Sequence, residues 1–301
     1  MRMTRNEGYS YRRILGSDAA TSTALAYLTS HFDHSSEEEW RERLAAGEIL
    51  LNGDVATGLE TLRPGGILIW NRPSWIEHET PQYYSLLYED KQLLAIDKPS
   101  GLPTLPGAGY YLNTLLSLVR KDFPEASPLH RLGRATSGLV LLARDAATAS
   151  VISRDWPKIE KQYQALGSLI ASQESYDIRS PIGKLDHPRL GKVHAASPVG
   201  KPARSVARTL ERRSNSTLFE VDLHTGRPHQ IRIHLAFVGH PLVGDPLYAM
   251  GGQPKPEQPG LPGDVGYWLH AKRLRLAHPV TGQELLLTAP LPKVLEVGSS
   301  E

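Results

Sequence analysis

Residues 130–144, HRLGRATSGLVLLAR, constrain this chain more than any other stretch. A basic, glycine-bearing turn runs straight into Leu139, Val140, Leu141, Leu142 and Ala143, bounded by Gly138 and Arg144. An apolar run this short and unbroken predicts a strand buried on both faces. The polar residues from Arg131 to Ser137 then form a loop at its N-terminal end, and loops held by a rigid strand commonly carry chemistry. Two simple readings of the loop fail. Gly133 and Gly138 have P-loop spacing, but Leu139 and Val140 stand where Lys and Ser/Thr are required. Ser137 is not in a nucleophile elbow, because Ala135 and Leu139 replace both flanking glycines. A Ser137 hydrolase also lacks partners in triad-like context.

With 301 residues, 40% of them hydrophobic, the chain has room for a large domain and a small one, or two medium ones. Cysteine is absent, which excludes disulfides, thiolate metal sites and a Cys nucleophile. His229, His234 and His240 are five and six apart and do not share one helical face, so no metal cluster is read. The opening MRMTRNEGYSYRR lacks the apolar stretch of a secretory signal. No run reaches bilayer length. A cytoplasmic protein is expected. Net charge is only +2. Residues 179–213, however, carry nine Lys/Arg (Arg179, Lys184, Arg189, Lys192, Lys201, Arg204, Arg208, Arg212, Arg213) against Asp186 and Glu211. That is either a solvated face or a phosphate-backbone footprint.

Residues 1–18 show no periodicity and read as an arm. Leu25, Leu28 and Phe32 have helical spacing. Ser35 followed by Glu38 reads as a capping box for a second helix, closed by Gly47. EILLNGDVAT reads as a hairpin with a type I′ turn at Asn52-Gly53, and LRPGGILIW as a further strand. Residues 71–85, polar with two prolines, read as a linker. Strands follow around 86–88 and 92–96, then a helix over 110–121. A strand is expected over 215–224. Pro228, the spacing of Ile231, Leu235 and Val238, and Gly239 after the end predict a helix. Residues 250–264 read as a mobile Gly/Pro insertion.

The stretch HRLGRATSGLVLLAR resembles the central motif of the RluA-type pseudouridine synthases, HRLDxxTSGLLLLA, except that Gly133 stands at the family's catalytic aspartate. AIDKPSGLP, KQYQALG, TGRPHQIRIHLAFVGHPLVGDPLY and WLHAKRLRLAHPVTGQELLLTAPLP match the family's other motifs in order, over roughly residues 86–292. The resemblance implies an α+β fold, with a mixed, mainly antiparallel sheet flanked by helices over 76–301. Residues 1–75 resemble, in pattern, a small α+β RNA-binding module. It also implies conversion of uridine to pseudouridine in rRNA or tRNA without cofactor or metal, by a monomer whose partner is structured RNA rather than a membrane. Residue by residue, Tyr163 would lie on the base and Arg232 would pair with the aspartate position. Arg131 would enter the space left by a flipped base. Arg134, Lys98, Arg227, His229, Arg204 and Arg208 would hold RNA.

Glycine supplies neither nucleophile nor base. Either another group serves, or the chain is an inactive RNA-binding protein on the same fold. Among acids, Asp145 lies a strand length away, roughly 20 Å, and Asp245 belongs to a structural GD motif. Asp97 is the best remaining candidate.

Overall fold

The computed structural model describes residues 4–32 and 34–299. The chain divides into two compact units, Met1–His78 and Glu79–Glu301.

In the first unit, β1 (Thr4–Arg5) and β2 (Tyr9–Ile14) precede α1 (Ala24–His31) and α2 (Glu37–Ala45). β3 (Ile49–Leu51), β4 (Asp54–Val55), β5 (Ile67–Arg72) and β6 (Ile76–Glu77) follow. The sheet order is β2-β5-β3-β4, and β1 pairs with β6. The arm expected over 1–18 is therefore strand over much of its described length. Every residue of β2 is exposed, so no alternation existed to read. Residues 1–3 lie outside the described part. The expected linker begins inside β5 and includes β6, where buried Glu77 accepts a hydrogen bond from Asn6 Nδ2 at 2.7 Å. The capping box sits one residue later than expected. The Ser36 hydroxyl accepts from the Glu39 amide, and the Glu39 carboxylate accepts from the Ser36 amide. The Ser35 hydroxyl instead accepts from Arg43. The Asn52-Gly53 turn has φ of +55° and +101°, as type I′ requires. Trp40, Tyr27, Leu28 and Ile49 fill the core between helices and sheet.

The second unit opens with β7 (Ser85–Glu89) and β8 (Leu93–Lys98). Then come α3 (Leu115–Asp122), β9 (Ser127–Pro128), β10 (Ser137–Ala143), α4 (Ala146–Asp155) and β11 (Glu160–Ser168). β12 (Ser175–Ile178), β13 (Ile182–His187), β14 (Gly191–Ala196), β15 (Ser205–Arg212) and β16 (Ser216–Leu223) precede α5 (Gln230–Phe237). β17 (Tyr248–Ala249), β18 (Gln253–Pro254), β19 (Leu269–Ala277) and β20 (Glu284–Thr288) complete it. α3 starts later than the expected residue 110, because the Thr114 hydroxyl caps it by accepting from the Ser117 amide.

The main sheet runs β12-β15-β16-β11-β19-β10-β8-β7, with β20 on β19 and β9 on β10. Its one parallel pairing is β10 with β19. The fold is α+β and mainly antiparallel. Leu139 to Ala143 are fully buried, each face covered. Full burial of one such aliphatic side chain contributes about 1.5–3 kcal/mol, so β10 anchors the loop that precedes it. Among the described residues no helix is long and apolar enough to cross a membrane.

Candidate active site

Residues 98–104 hold the 131–136 loop from behind. Lys98 Nζ donates to the carbonyls of Pro99, Leu102 and Arg134, at 2.9, 2.7 and 3.3 Å. The Gly101 amide donates to the Arg134 carbonyl and the Ser100 hydroxyl to that of Ala135. The Thr104 hydroxyl both donates to the Leu132 carbonyl and accepts from its amide. Within the loop, the Thr136 amide closes a turn on the Gly133 carbonyl at 3.1 Å. Lys98 is thus a buried clamp, which corrects its expected role as a phosphate ligand: no part of it is exposed and its ammonium is committed to main-chain oxygens.

Burial pushes Lys98 down to about 7, against the opposing pull of Asp97. In the unfolded chain a lysine titrates near 10.4. Between those values the unfolded state binds the extra proton, so Lys98 makes stability rise with pH from about 7 to 10. Urea melts across that window should show the rise, and Lys98→Met should flatten it.

On the other wall, β11 meets β19 with a bulge. Gln162 pairs with Arg273 and Tyr163 with Ala271, so Lys272 is skipped. Bulges re-aim side chains beside active sites. Ala271 pairs with Gly138 on its other side, which brings Tyr163 and the 131–137 loop to one place. The cleft between them is about 260 Å³ and is lined by Arg131, Gly133, Tyr163, Arg227, His229, Arg232 and Tyr267 among others. Tyr163 is 8% exposed, and burial pushes its hydroxyl up to about 12, so it stays neutral. Burial, with Arg232 nearby, holds His229 down at about 3, and it shares a hydrogen bond with Tyr248 Oη at 2.8 Å.

Arg232 has an acidic partner although position 133 is glycine. Nε and Nη2 fork onto the two carboxylate oxygens of Asp245, at 2.7 and 2.8 Å. Both side chains are all but fully buried. Asp245 also accepts from the amides of Leu247 and Tyr248. Burial pushes its carboxyl up, but Arg232 outweighs that and leaves it below the usual carboxylate range. The guanidinium lies 4.3 Å from the Tyr267 ring and 4.9 Å from that of Tyr248. Nη1 donates to the Pro262 carbonyl at 3.0 Å.

Other expected residues lie elsewhere. Arg134 does not offer an open guanidinium: Nε donates to the Gly263 carbonyl, Nη1 to Tyr110 Oη, and Asp264 lies at 3.8 Å. Arg204 is paired with Asp177 and Arg208 with Asp222, both on the surface. Arg212 is paired with Glu174, and Arg213 is 5% exposed and donates to the carbonyls of Val294 and Glu296. Five of the nine cations of the basic run are thus paired with acids of the chain, Arg179 and Arg204 sharing Asp177. Arg131, by contrast, is exposed and has no acidic partner among the described residues. Asp97 does not line the cleft; it pairs with Leu139, whereas Gly138 pairs with Lys98. Asp145 caps α4. The insertion expected to be mobile over 250–264 includes β18, and Arg134 and Arg232 bind its main chain. Tyr267 was missed. Its only signal was its place two residues before Leu269-His270-Ala271.

A family model described as RNA pseudouridylate synthase matches residues 92–237. An RNA pseudouridine synthase of Synechocystis is 42% identical, over 90% of this chain and 94% of its own. The chain belongs to the RNA pseudouridine synthase family. RNA pseudouridine synthase 5 of Oryza sativa is 38% identical over 97% of this chain and 89% of its own. Ribosomal large subunit pseudouridine synthase D of Xanthomonas campestris is 36% identical over 90% of this chain and 85% of its own. Human RNA pseudouridylate synthase domain containing 1 shares the fold, with a TM-score of 0.57 at 22% identity over 73% of this chain and 89% of its own. The synthase names of these relatives give the binding-only alternative no support.

Proposed function

We propose that the chain isomerises uridine to pseudouridine in ribosomal RNA, as a cytoplasmic monomer, in the cleft between the 131–136 loop and β11. The observation that carries this reading is the convergence of Tyr163, Arg131, Arg232 and Gly133 on one opening. A flipped uracil would stack on Tyr163, and Arg131 would hold phosphate or the vacated space. The ribosomal target is taken from the name of the Xanthomonas campestris relative. Residues 4–78 would add RNA contacts through exposed Tyr9 and Tyr11 and through Arg72, which lies over the Trp75 ring.

The reaction moves C1′ from N1 to C5 and so expels the C5 hydrogen. Ribosomal RNA labelled with tritium at uridine C5 should release it to water on incubation with the protein, and tRNA labelled in the same way should not. Equal release from tRNA would reassign the substrate. Arg131→Ala should weaken RNA binding and lower the log–log salt slope by about 0.7–0.9, read by filter binding. An unchanged slope would remove Arg131 from the phosphate contacts.

A further inference from the structure

We infer that Tyr267 is the proton-transferring residue of this active site, standing beside Gly133, the position that the motif resemblance aligns with an aspartate. The inference rests on the synthase reading above.

Three observations converge on the Tyr267 hydroxyl. A Cβ built on Gly133 would lie 3.2 Å from it and 3.6 Å from Thr136 Oγ1. Oη and Thr136 Oγ1 are themselves 3.3 Å apart. The phenol therefore borders the volume that an aspartate at 133 would fill. Tyr267 is 5% exposed yet lines the cleft with Tyr163. Its ring faces the Arg232 guanidinium at 4.3 Å, which fixes the ring's place in the cleft wall.

The other groups at the cleft are unsuited to the task. No aspartate or glutamate lines it. Asp245 is engaged by Arg232 and two amides. Lys161 donates to the carbonyls of Trp156 and Ile159. His130 and His229 are held neutral, both down at about 3, so neither is an imidazolium acid, and each ring is engaged, by the Leu141 amide and by Tyr248 Oη. Tyr163 has no atom within 4 Å of a Cβ at Gly133, and burial pushes its hydroxyl up to about 12.

The step balances without a further reactant. The N1–C1′ bond breaks and its electron pair leaves on uracil. The Tyr267 proton passes to the uracil anion, leaving an oxocarbenium ribose and a phenolate facing Arg232. The base turns, and C5 attacks C1′. The hydrogen on C5 then leaves as a proton to the phenolate, which restores the phenol.

Single-turnover tritium release separates this from its rivals, with RNA affinity and near-ultraviolet circular dichroism confirming that each variant binds and folds. Tyr267→Phe should slow release by about 10²–10⁴-fold with affinity unchanged. Tyr163→Phe should slow it less than about tenfold. Adding Gly133→Asp to Tyr267→Phe should recover at least about tenfold, because position 133 has no left-handed φ and the crowding hydroxyl has gone. Fluorotyrosine at 267 should shift the pH–rate profile to lower pH. Release by Tyr267→Phe within about threefold of the unaltered protein, or an unshifted profile, overturns the inference. That outcome leaves the synthase reading intact, whereas a silent unaltered protein with an active Gly133→Asp overturns both the inference and turnover by the native chain. Silence in every variant defeats both.

Discussion

Asp245→Asn is expected to destabilise residues 79–301 by about 3–5 kcal/mol, because it strands the Arg232 charge in a buried site. The pair is bidentate at 2.7 and 2.8 Å, with side chains 2% and 1% exposed. Water cannot replace the carboxylate there, and the Pro262 carbonyl satisfies only Nη1. For a unit of this size each kcal/mol moves Tm by about 2–4 °C, so the melt should fall by roughly 6–20 °C. Acid sensitivity should change with it. Burial raises the Asp245 carboxyl, but Arg232 and the amides of Tyr248 and Leu247 lower it further, and the net direction is down. A folded-state value below the unfolded one gives stability that is present above about pH 4 and lost as pH falls through the folded value. The Asn variant should lack that acid limb. A melt within 2 °C of the unaltered protein would mean that Arg232 is solvated.

Gly138→Ala is the second change expected to be severe. Gly138 has φ of +101°, and a Cβ there would lie 2.4 Å from the Ala271 carbonyl oxygen and 2.8 Å from its nitrogen. These are main-chain atoms of β19, held on the far side by Tyr163 and on the near side by the parallel pairing itself. Nothing flexible can yield. The backbone conformation alone costs an L-residue about 1–2 kcal/mol, and forced overpacking about 1–3 more. Much of the expressed variant should be insoluble, and the soluble part should melt well below the unaltered protein. Gly133→Ala is the control. Its Cβ meets only two hydroxyls, at 3.2 and 3.6 Å, and should change the melt little. Equal behaviour of the two alanine variants would refute the close approach of β10 and β19.

Legibility in the sequence followed the physics of each element. β10 could be read because burial on both faces leaves an unbroken apolar run, a pattern few other arrangements produce. α5 could be read from its period and its Pro and Gly boundaries. β2 could not, since a strand exposed at every position imposes no alternation. The pairs Ser35/Glu38 and Ser36/Glu39 satisfy the same capping pattern, so only geometry could choose between them. At the site, motif matching singled out Tyr163, Arg131 and Arg232, and all three line one cleft, though Arg232 pairs with Asp245 rather than with position 133. It misplaced Lys98 and Arg134, because a cation's type does not reveal whether carbonyls or phosphates surround it. Their hydrogen bonds span up to 129 positions in sequence. The same blindness hid Tyr267, whose neighbours at 133 and 136 are brought to it only by folding.

The segment 250–264 is fastened at Pro262 and Gly263 by arginines that grip main-chain oxygens. Every amino acid presents that oxygen. The arginines therefore ask nothing of side chains at those two positions, and residues there can drift over evolutionary time without loosening the hold. Constraint falls instead on Arg134 and Arg232, so this fastening writes its signature in the 130–144 and 225–248 motifs and leaves the fastened segment almost anonymous.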